Sequence, residues 1–390
     1  MENHKGPAMQ FTYSNPTRIH FGQNQIKAIT DEIPSHTKVL VAYGGGSIKK
    51  NGIYDQVEAA LSDHEWIEFP GIEANPKVET LDKAVEICRK EKVDFLLAVG
   101  GGSVIDGVKY IAAATLYEGV GWDILEQKHT FSEALPLGVV LTLPATGSES
   151  NPASVVSNGA TGDKLSFYNP AVYPKFAILD PDVMKSLPER QIINGLVDAW
   201  VHICEQYLTR STGAMVQDGY AEALLRNLTV LAHQYDKRDT DDWRANLMWV
   251  ANQALNGLIG LGVPHDWSTH MIGHELTARY GVDHARSLSI IQPSLLRNQL
   301  SYKREKLEQM GKAVFNLKDG DDLAERTIKA IETFYQDLGM PIQLSDYNED
   351  KARAITAVVS QLKKHGFVQL SENQSITLEK TREILEEAFV

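Results

Sequence analysis

The chain has two cysteines in 390 residues, Cys88 and Cys204, each isolated within a stretch of helical periodicity. That excludes a disulfide framework and fits reduced packing thiols in the cytoplasm. Long apolar runs are missing as well. None approaches the roughly 20 residues of a membrane span, and the first nine residues lack the hydrophobic core of a signal peptide. Residues 1–8, ahead of a second methionine at Met9, read as a short loose extension. Positive charge is scarce: 38 Lys and Arg face 51 Asp and Glu, for a net charge of −13. A nucleic-acid or acidic-membrane partner needs a basic face and is therefore not expected. No Gly-x-Gly-x-x-Gly or Walker A sequence occurs, so any nucleotide must be met by other loops.

What remains is an ordinary globular composition with 43% apolar residues, enough for two cores. Up to about residue 185, short apolar runs at 38–43, 66–69, 94–99, 137–143 and 176–179 alternate with helical segments such as 78–87. Continuous apolar strands separated by helices predict a doubly wound parallel sheet, an α/β domain over residues 1–185. Residues 9–21 add a strand or hairpin at its start. Near Ser186 the pattern changes. Ser186, Pro188 and Glu189 have the spacing of a capped helix start. Amphipathic stretches follow at 214–233, 241–260, 284–300, 321–338 and 348–364, with no strand among them. Residues 186–390 are thus expected to be all-helical, and without a linker the two domains should meet at a cleft.

Three glycine-rich turns follow strand-like runs in the first half. They are Gly44, Gly45, Gly46 and Ser47; Gly100, Gly101, Gly102 and Ser103 with Asp106; and Thr146, Gly147, Ser148 and Glu149. Glycine there lets backbone N–H groups approach a pyrophosphate, and a following helix N-terminus adds a favourable dipole. Any one of them could be a purely steric turn; three in one sheet point to a nucleotide. The first turn lacks the carboxylate that ends a strand in NAD sites. It carries Ser47, Lys49 and Lys50 instead, which favours the 2′-phosphate of NADP, and a carboxylate placed at Gly44 should turn that preference toward NADH.

The second half offers metal ligands. Asp198 and His202 lie four apart on a helix face, and His270 and His284 follow beside glycines. One carboxylate and three imidazoles suit Zn²⁺ or Fe²⁺, with Ni²⁺ or Co²⁺ also accepted, and leave a net charge of about +1. His265 and Glu205 are rival ligands that spacing alone does not remove.

Together these motifs resemble the iron-containing (group III) alcohol dehydrogenases, in the branch of NADP-dependent butanol dehydrogenases and broad-range aldehyde reductases. The resemblance runs from about Met9 to the C-terminus. It implies a dinucleotide-binding domain followed by a helical metal domain, with Asp198, His202, His270 and His284 as ligands in preference to His265 and Glu205. Gly101, Gly102, Ser103 and Asp106 would hold the pyrophosphate and nearby ribose; Thr142, Thr146 and Lys164 would line the cofactor further along. Thr142 is followed by Leu143, Pro144 and Ala145 where many members have Thr-Ala-Gly. His274 would lie near the substrate without binding metal and could pass a proton to solvent. Hydride would move between nicotinamide C4 and a primary alcohol or aldehyde held at the metal. The resemblance also implies a homodimer.

Two relatives of similar plan are the rivals, a dehydroquinate-synthase-like lyase and a glycerol-dehydrogenase-like enzyme. The lyase handles a polyanion and needs clustered Lys and Arg. Trp200, Trp249, Trp267 and Leu258 stand around the metal motifs instead, with Arg279 and Arg286 the nearest cations.

Overall fold

A computed structural model describes residues 9–390; the extension expected over residues 1–8 lies outside them. Among the described residues no helix is long and apolar enough to cross a membrane. The chain divides into two compact units. One holds Ser14–Ile192 with Asp236–Asn256, the other Ile193–Tyr235 and Gly257–Val390 with residues 9–13. The boundary expected at 185/186 therefore falls at 192/193. A helix from the second half also belongs to the first unit.

The sheet unit contains β1 (Arg18–Phe21), β2 (Lys38–Tyr43), β3 (Glu65–Phe69), β4 (Phe95–Gly100), β5 (Leu137–Leu141), β6 (Ala153–Ser157), β7 (Lys164–Tyr168) and β8 (Phe176–Leu179). Six of them form one sheet in the order β1-β8-β5-β4-β2-β3, every pair parallel. All five expected runs are strands of this sheet. The initial segment supplies an edge strand, β1, parallel to β8; it does not make a hairpin. An antiparallel hairpin of β6 and β7 was not foreseen. Buried and solvent-exposed residues are interspersed along both strands, so the hairpin lacks a continuous apolar run.

Helices α1 (Ile29–Glu32), α2 (Ile53–Ala60), α3 (Val78–Glu91) and α4 (Gly102–Thr115) connect the strands. α3 buries Val78, Leu81, Ala84, Val85 and Cys88, one stripe at helical spacing. α4 is buried along almost its whole length, because it lies against β4, α3 and β6. Its start permits no side chain: a Cβ on Gly102 would sit 2.5 Å from both Oγ1 and Cγ2 of Thr146. Glycine at 102 is what lets the loop after β5 close over the helix terminus.

The helical unit begins with α5 (Glu189–Tyr207) and α6 (Met215–His233); α7 (Asp241–Ala254) is the helix that joins the sheet unit. The rest are α8 (Ser268–Tyr280), α9 (His284–Asn298), α10 (Leu300–Ala313), α11 (Leu323–Asp337), α12 (Lys351–Lys364) and α13 (Leu378–Ala388). Ile272 and Leu276 of α8 pack with Ile290, Ile291 and Leu295 of α9, Ile355 and Val358 of α12, and Ile384 of α13. The unit is not wholly helical, because β9 (Gln369–Leu370) and β10 (Ile376–Thr377) form a two-residue antiparallel pair. A ladder that short leaves no periodic signal in the sequence.

Candidate metal centre and glycine loops

Three helices carry four side chains to one point. α5 presents Asp198 and His202 from successive turns, α8 presents His270, and His284 is the first residue of α9. From Asp198 Oδ1 the Nε2 atoms of His284, His202 and His270 lie at 3.3, 3.5 and 3.8 Å. One ligand atom from each residue falls within 4.8 Å of all the others. Tetrahedral binding with bonds of about 2.0–2.1 Å sets ligand atoms roughly 3.4 Å apart, so a divalent ion fits with small adjustments.

The unsatisfied atoms agree with that fit. Asp198 Oδ1 and His270 Nε2 are buried and have no hydrogen-bond partner. Buried polar atoms are normally satisfied, and these two point into the same small volume. Burial alone would raise the Asp198 carboxyl, yet the surrounding imidazoles, His202 and His284 first, hold it well below the usual carboxylate range. Burial pushes the His202 ring down to about 3, leaving it neutral with a lone pair to offer.

Glu205 stands behind this cluster, not in it. Its Oε2 lies 2.7 Å from His270 Nδ1, and Oε1 accepts the Thr269 N–H at 3.0 Å. With Nδ1–H donating to Glu205, Nε2 of His270 is the nitrogen turned toward the quartet, where it holds a proton or gives it up to a cation. Burial alone would lower the His270 ring, but Glu205 and Asp198 outweigh it and bring it up to about 9. The other rival, His265, is turned to the Gly260 carbonyl at 2.8 Å. Asn194 donates to Asp283 at 2.9 Å and so ties α5 to the residue before His284; nothing in the sequence pattern marks it. His274 is buried one turn after His270, with ring centroids 6.1 Å from His270 and 5.5 Å from His284. Of the tryptophans, Trp267 meets the cluster, edge-on to His270 at 5.3 Å. Trp200 is a core residue against Phe334, and Trp249 packs on Phe21 in the sheet unit.

The glycine loops stand at the C-terminal ends of three adjacent strands, β2, β4 and β5. Ligands bind at that edge of open parallel sheets. After β2, Gly46 takes a left-handed φ of 93° and Ser47 begins a short turn to Lys49. A Cβ on Gly44 would lie 3.3 Å from the Ile72 carbonyl, whereas Gly45 opens onto free space. Position 45 therefore takes a carboxylate without displacing a neighbour, whereas at 44 the Ile72 carbonyl would have to give by a few tenths of an ångström.

The loop is also less purely cationic than its own residues imply. Glu68 of β3, in register with Val41, accepts hydrogen bonds from Tyr43 (2.8 Å) and Tyr54, and lies 3.6 Å from Lys49 Nζ. Lys49 in turn sits 4.8 Å from the Tyr54 ring centroid. A charged residue inside the run at 66–69 was the one signal for this acid.

After β4, Gly101 leads into α4, and the Ser103 hydroxyl donates to the Ala74 carbonyl. Asp106 accepts from Ser148 Oγ at 2.6 Å and from the Val155 N–H at 3.1 Å. Thr146 Oγ1 accepts the Ser148 N–H at 3.1 Å, Thr142 N–H bonds the Gly100 carbonyl at 3.0 Å, and Lys164 Nζ bonds Asn75 at 3.0 Å.

Residues 16–181 match the family described as iron-containing alcohol dehydrogenase, and residues 192–389 match the C-terminal part of the Fe-containing alcohol dehydrogenase family. The NADPH-dependent aldehyde reductase YqhD of Escherichia coli is 49% identical over 384 residues, covering 97% of this chain and 99% of its own. A probable NADH-dependent butanol dehydrogenase of Bacillus subtilis is 40% identical, covering 87% and 89%. The crystal structure of the Escherichia coli protein superposes with a TM-score of 0.95, at 48% identity, over 98% of this chain and 99% of that one. The fold is that of a dehydrogenase of the group III type. This chain belongs to the iron-containing alcohol dehydrogenase family.

If the quartet holds the ion and Glu205 orients His270, two substitutions should separate those roles. His270→Ala should abolish metal binding. Glu205→Gln, which keeps the shape and loses the charge, should weaken it by about 10- to 100-fold. Competition with a chromogenic chelator measures both, and unchanged affinity in Glu205→Gln would remove that residue from the site.

Proposed function

We propose that the chain is an NADP(H)-dependent alcohol dehydrogenase and aldehyde reductase acting on small primary alcohols and aldehydes. The quartet of Asp198, His202, His270 and His284 carries the proposal, because one ligand atom from each residue lies within 4.8 Å of the others. When bound there, a divalent cation polarises the substrate oxygen, and the nicotinamide exchanges hydride with the substrate carbon.

The chain's own residues do the rest. Asp198 supplies the one negative charge among the ligands, so the loaded site keeps a net positive charge for an oxygen substrate. Glu205 fixes the His270 tautomer. His274, buried beside His270 and His284, takes or returns the substrate proton. Gly101, Gly102 and the α4 terminus offer N–H groups to the pyrophosphate, with Asp106, Thr142, Thr146 and Lys164 along the cofactor. The loop Gly44, Gly45, Gly46 and Ser47, with Lys49, receives the 2′-phosphate. The similarity to an NADPH-dependent reductase supports that choice, although the Bacillus relative is named for NADH. A cytoplasmic homodimer completes the proposal.

Consumption of NADPH with butanal by metal-loaded protein is the direct test, and no turnover would overturn the proposal. Catalytic efficiency should be higher with NADPH than with NADH. Gly45→Asp, which places a carboxylate in open space beside the 2′-phosphate, should move the preference toward NADH by a few kcal/mol, about a hundredfold. Equal use of both cofactors by the unmodified chain would count against the phosphate site.

His274→Phe tests the proton route. Turnover should fall about 10²- to 10⁴-fold, as for loss of a general acid or base, and the pH–rate curve should change shape while metal content stays full. Depleted metal with an unchanged pH–rate curve would show that His274 orients a ligand instead.

A further inference from the structure

A single buried ammonium lies beneath the loop that follows β5. Lys109, in the middle of α4, has no solvent exposure. Four acceptors surround its three protons: the Ser148 carbonyl at 2.7 Å, Ser148 Oγ at 2.7 Å, the Ala153 carbonyl at 2.8 Å and, more distant, Asn151 Oδ1 at 3.2 Å. Its neighbours on α4, Val104, Ile105, Val108 and Ile111, are apolar and buried, so packing alone would be served by a methionine or leucine. A buried charge persists only where anions and acceptors compensate it. The charged groups facing this pocket are Asp106 on α4, Glu149 in the loop and, toward Asp106, Lys164 on β7. Glu149 is buried, and its Oε1 accepts from Asn252 at 3.2 Å.

The direction of the hydrogen bonds gives the charge a use. An ammonium has protons and no lone pair. Ser148 Oγ therefore accepts from Lys109, and its own proton is sent to Asp106 Oδ1, 2.6 Å away. The Val155 N–H holds the other oxygen of Asp106. Each carboxylate oxygen keeps a further acceptor site, aimed by bonds whose polarity Lys109 dictates.

We infer that Lys109 is a positioning residue for the dinucleotide: through Ser148 it holds Asp106 as an oriented acceptor for a cofactor ribose hydroxyl, and it clamps the loop that Gly102 allows to close over α4. This rests on the dinucleotide reading of the glycine loops given above. Burial also brings the Lys109 amine from 10.5 down to about 8, against the opposing pull of Asp106 and Glu149. Above that pH the neutral amine can accept a proton, and Ser148 is no longer forced to donate to Asp106. Cofactor binding should therefore weaken as pH rises through about 8.

The experiment is a titration of the full-length protein with NADPH, followed by nicotinamide fluorescence, from about pH 6.5 to about pH 9.5. The unmodified protein should lose affinity across the upper part of that range. Lys109→Met should bind roughly tenfold or more weakly near pH 7, as expected for one lost charged hydrogen bond, with a flat pH dependence. In turnover it should raise KM for NADPH far more than it lowers kcat. Ser148→Ala leaves three of the four Lys109 contacts in place and serves if Lys109→Met does not fold. It too should bind more weakly, with the response near pH 8 lost. Wild-type affinity and pH dependence in either folded variant would overturn the inference. No NADPH binding by the unmodified protein would overturn the dinucleotide reading itself, and the role of Lys109 with it.

Discussion

The helical unit is organised around the cost of burying Asp198, His202 and His270 together, with His284 at their edge. An isolated buried carboxylate is strongly unfavourable, and three imidazoles in a dry pocket are little better. The cluster is tolerable only if its lone pairs meet a cation, whether a proton on His270 or a divalent ion. A metal ion neutralises Asp198 and satisfies His270 Nε2 at once, whereas a proton can serve only one nitrogen. The placement of α5, α8 and α9 follows from that requirement. Each helix contributes a ligand at or near a turn of its own, and each is held there by polar contacts outside the quartet. Glu205 bonds the start of α8, and Asn194 bonds Asp283 at the start of α9.

In the sheet unit the governing constraint is proximity of backbone. Three strand ends turn within neighbouring positions, and each turn uses glycine where a side chain would collide or where φ is positive. Gly102 admits Thr146, and Gly46 takes the left-handed turn. Glycine turns of this kind let backbone N–H groups approach an anion closely. It also brings polar loop atoms over α4, and the buried Lys109 answers them.

Much of this was legible in the residues. The parallel sheet showed as five apolar runs because both of its faces are covered. The quartet showed as an Asp–His pair at helical spacing and two later histidines, with the family resemblance removing Glu205 and His265. What stayed hidden has a common cause. The β6–β7 hairpin, the β9–β10 pair and the assignment of α7 to the sheet unit depend on partners distant in sequence, which local periodicity does not record. Glu68 is the instructive case. The first glycine loop has no acid of its own, and the one it meets arrives sideways, from the adjacent strand. Lys49 is therefore an ion-paired residue beside two tyrosines, and its charge is partly balanced before any phosphate enters.

A second buried lysine shows how the metal ligands keep their spacing. Lys303 of α10 lies 2.6 Å from both the Leu208 carbonyl and Asp266 Oδ2. Leu208 directly follows α5, which carries Asp198 and His202; Asp266 precedes α8, which carries His270. Asp266 also accepts the Ser268 N–H at 2.9 Å, satisfying a donor at the start of α8, and its own N–H bonds the Glu205 carbonyl at 2.8 Å. One ammonium thus joins the end of one ligand helix to the beginning of another. Removing one partner from such a buried pair typically costs about 3–5 kcal/mol, because the other charge is left without compensation. An apolar residue could fill the same volume, but it could not pull a helix-terminal carbonyl and a capping carboxylate to one point. Where ligand atoms must converge to within a few tenths of an ångström, that directional pull gives the buried charge its role.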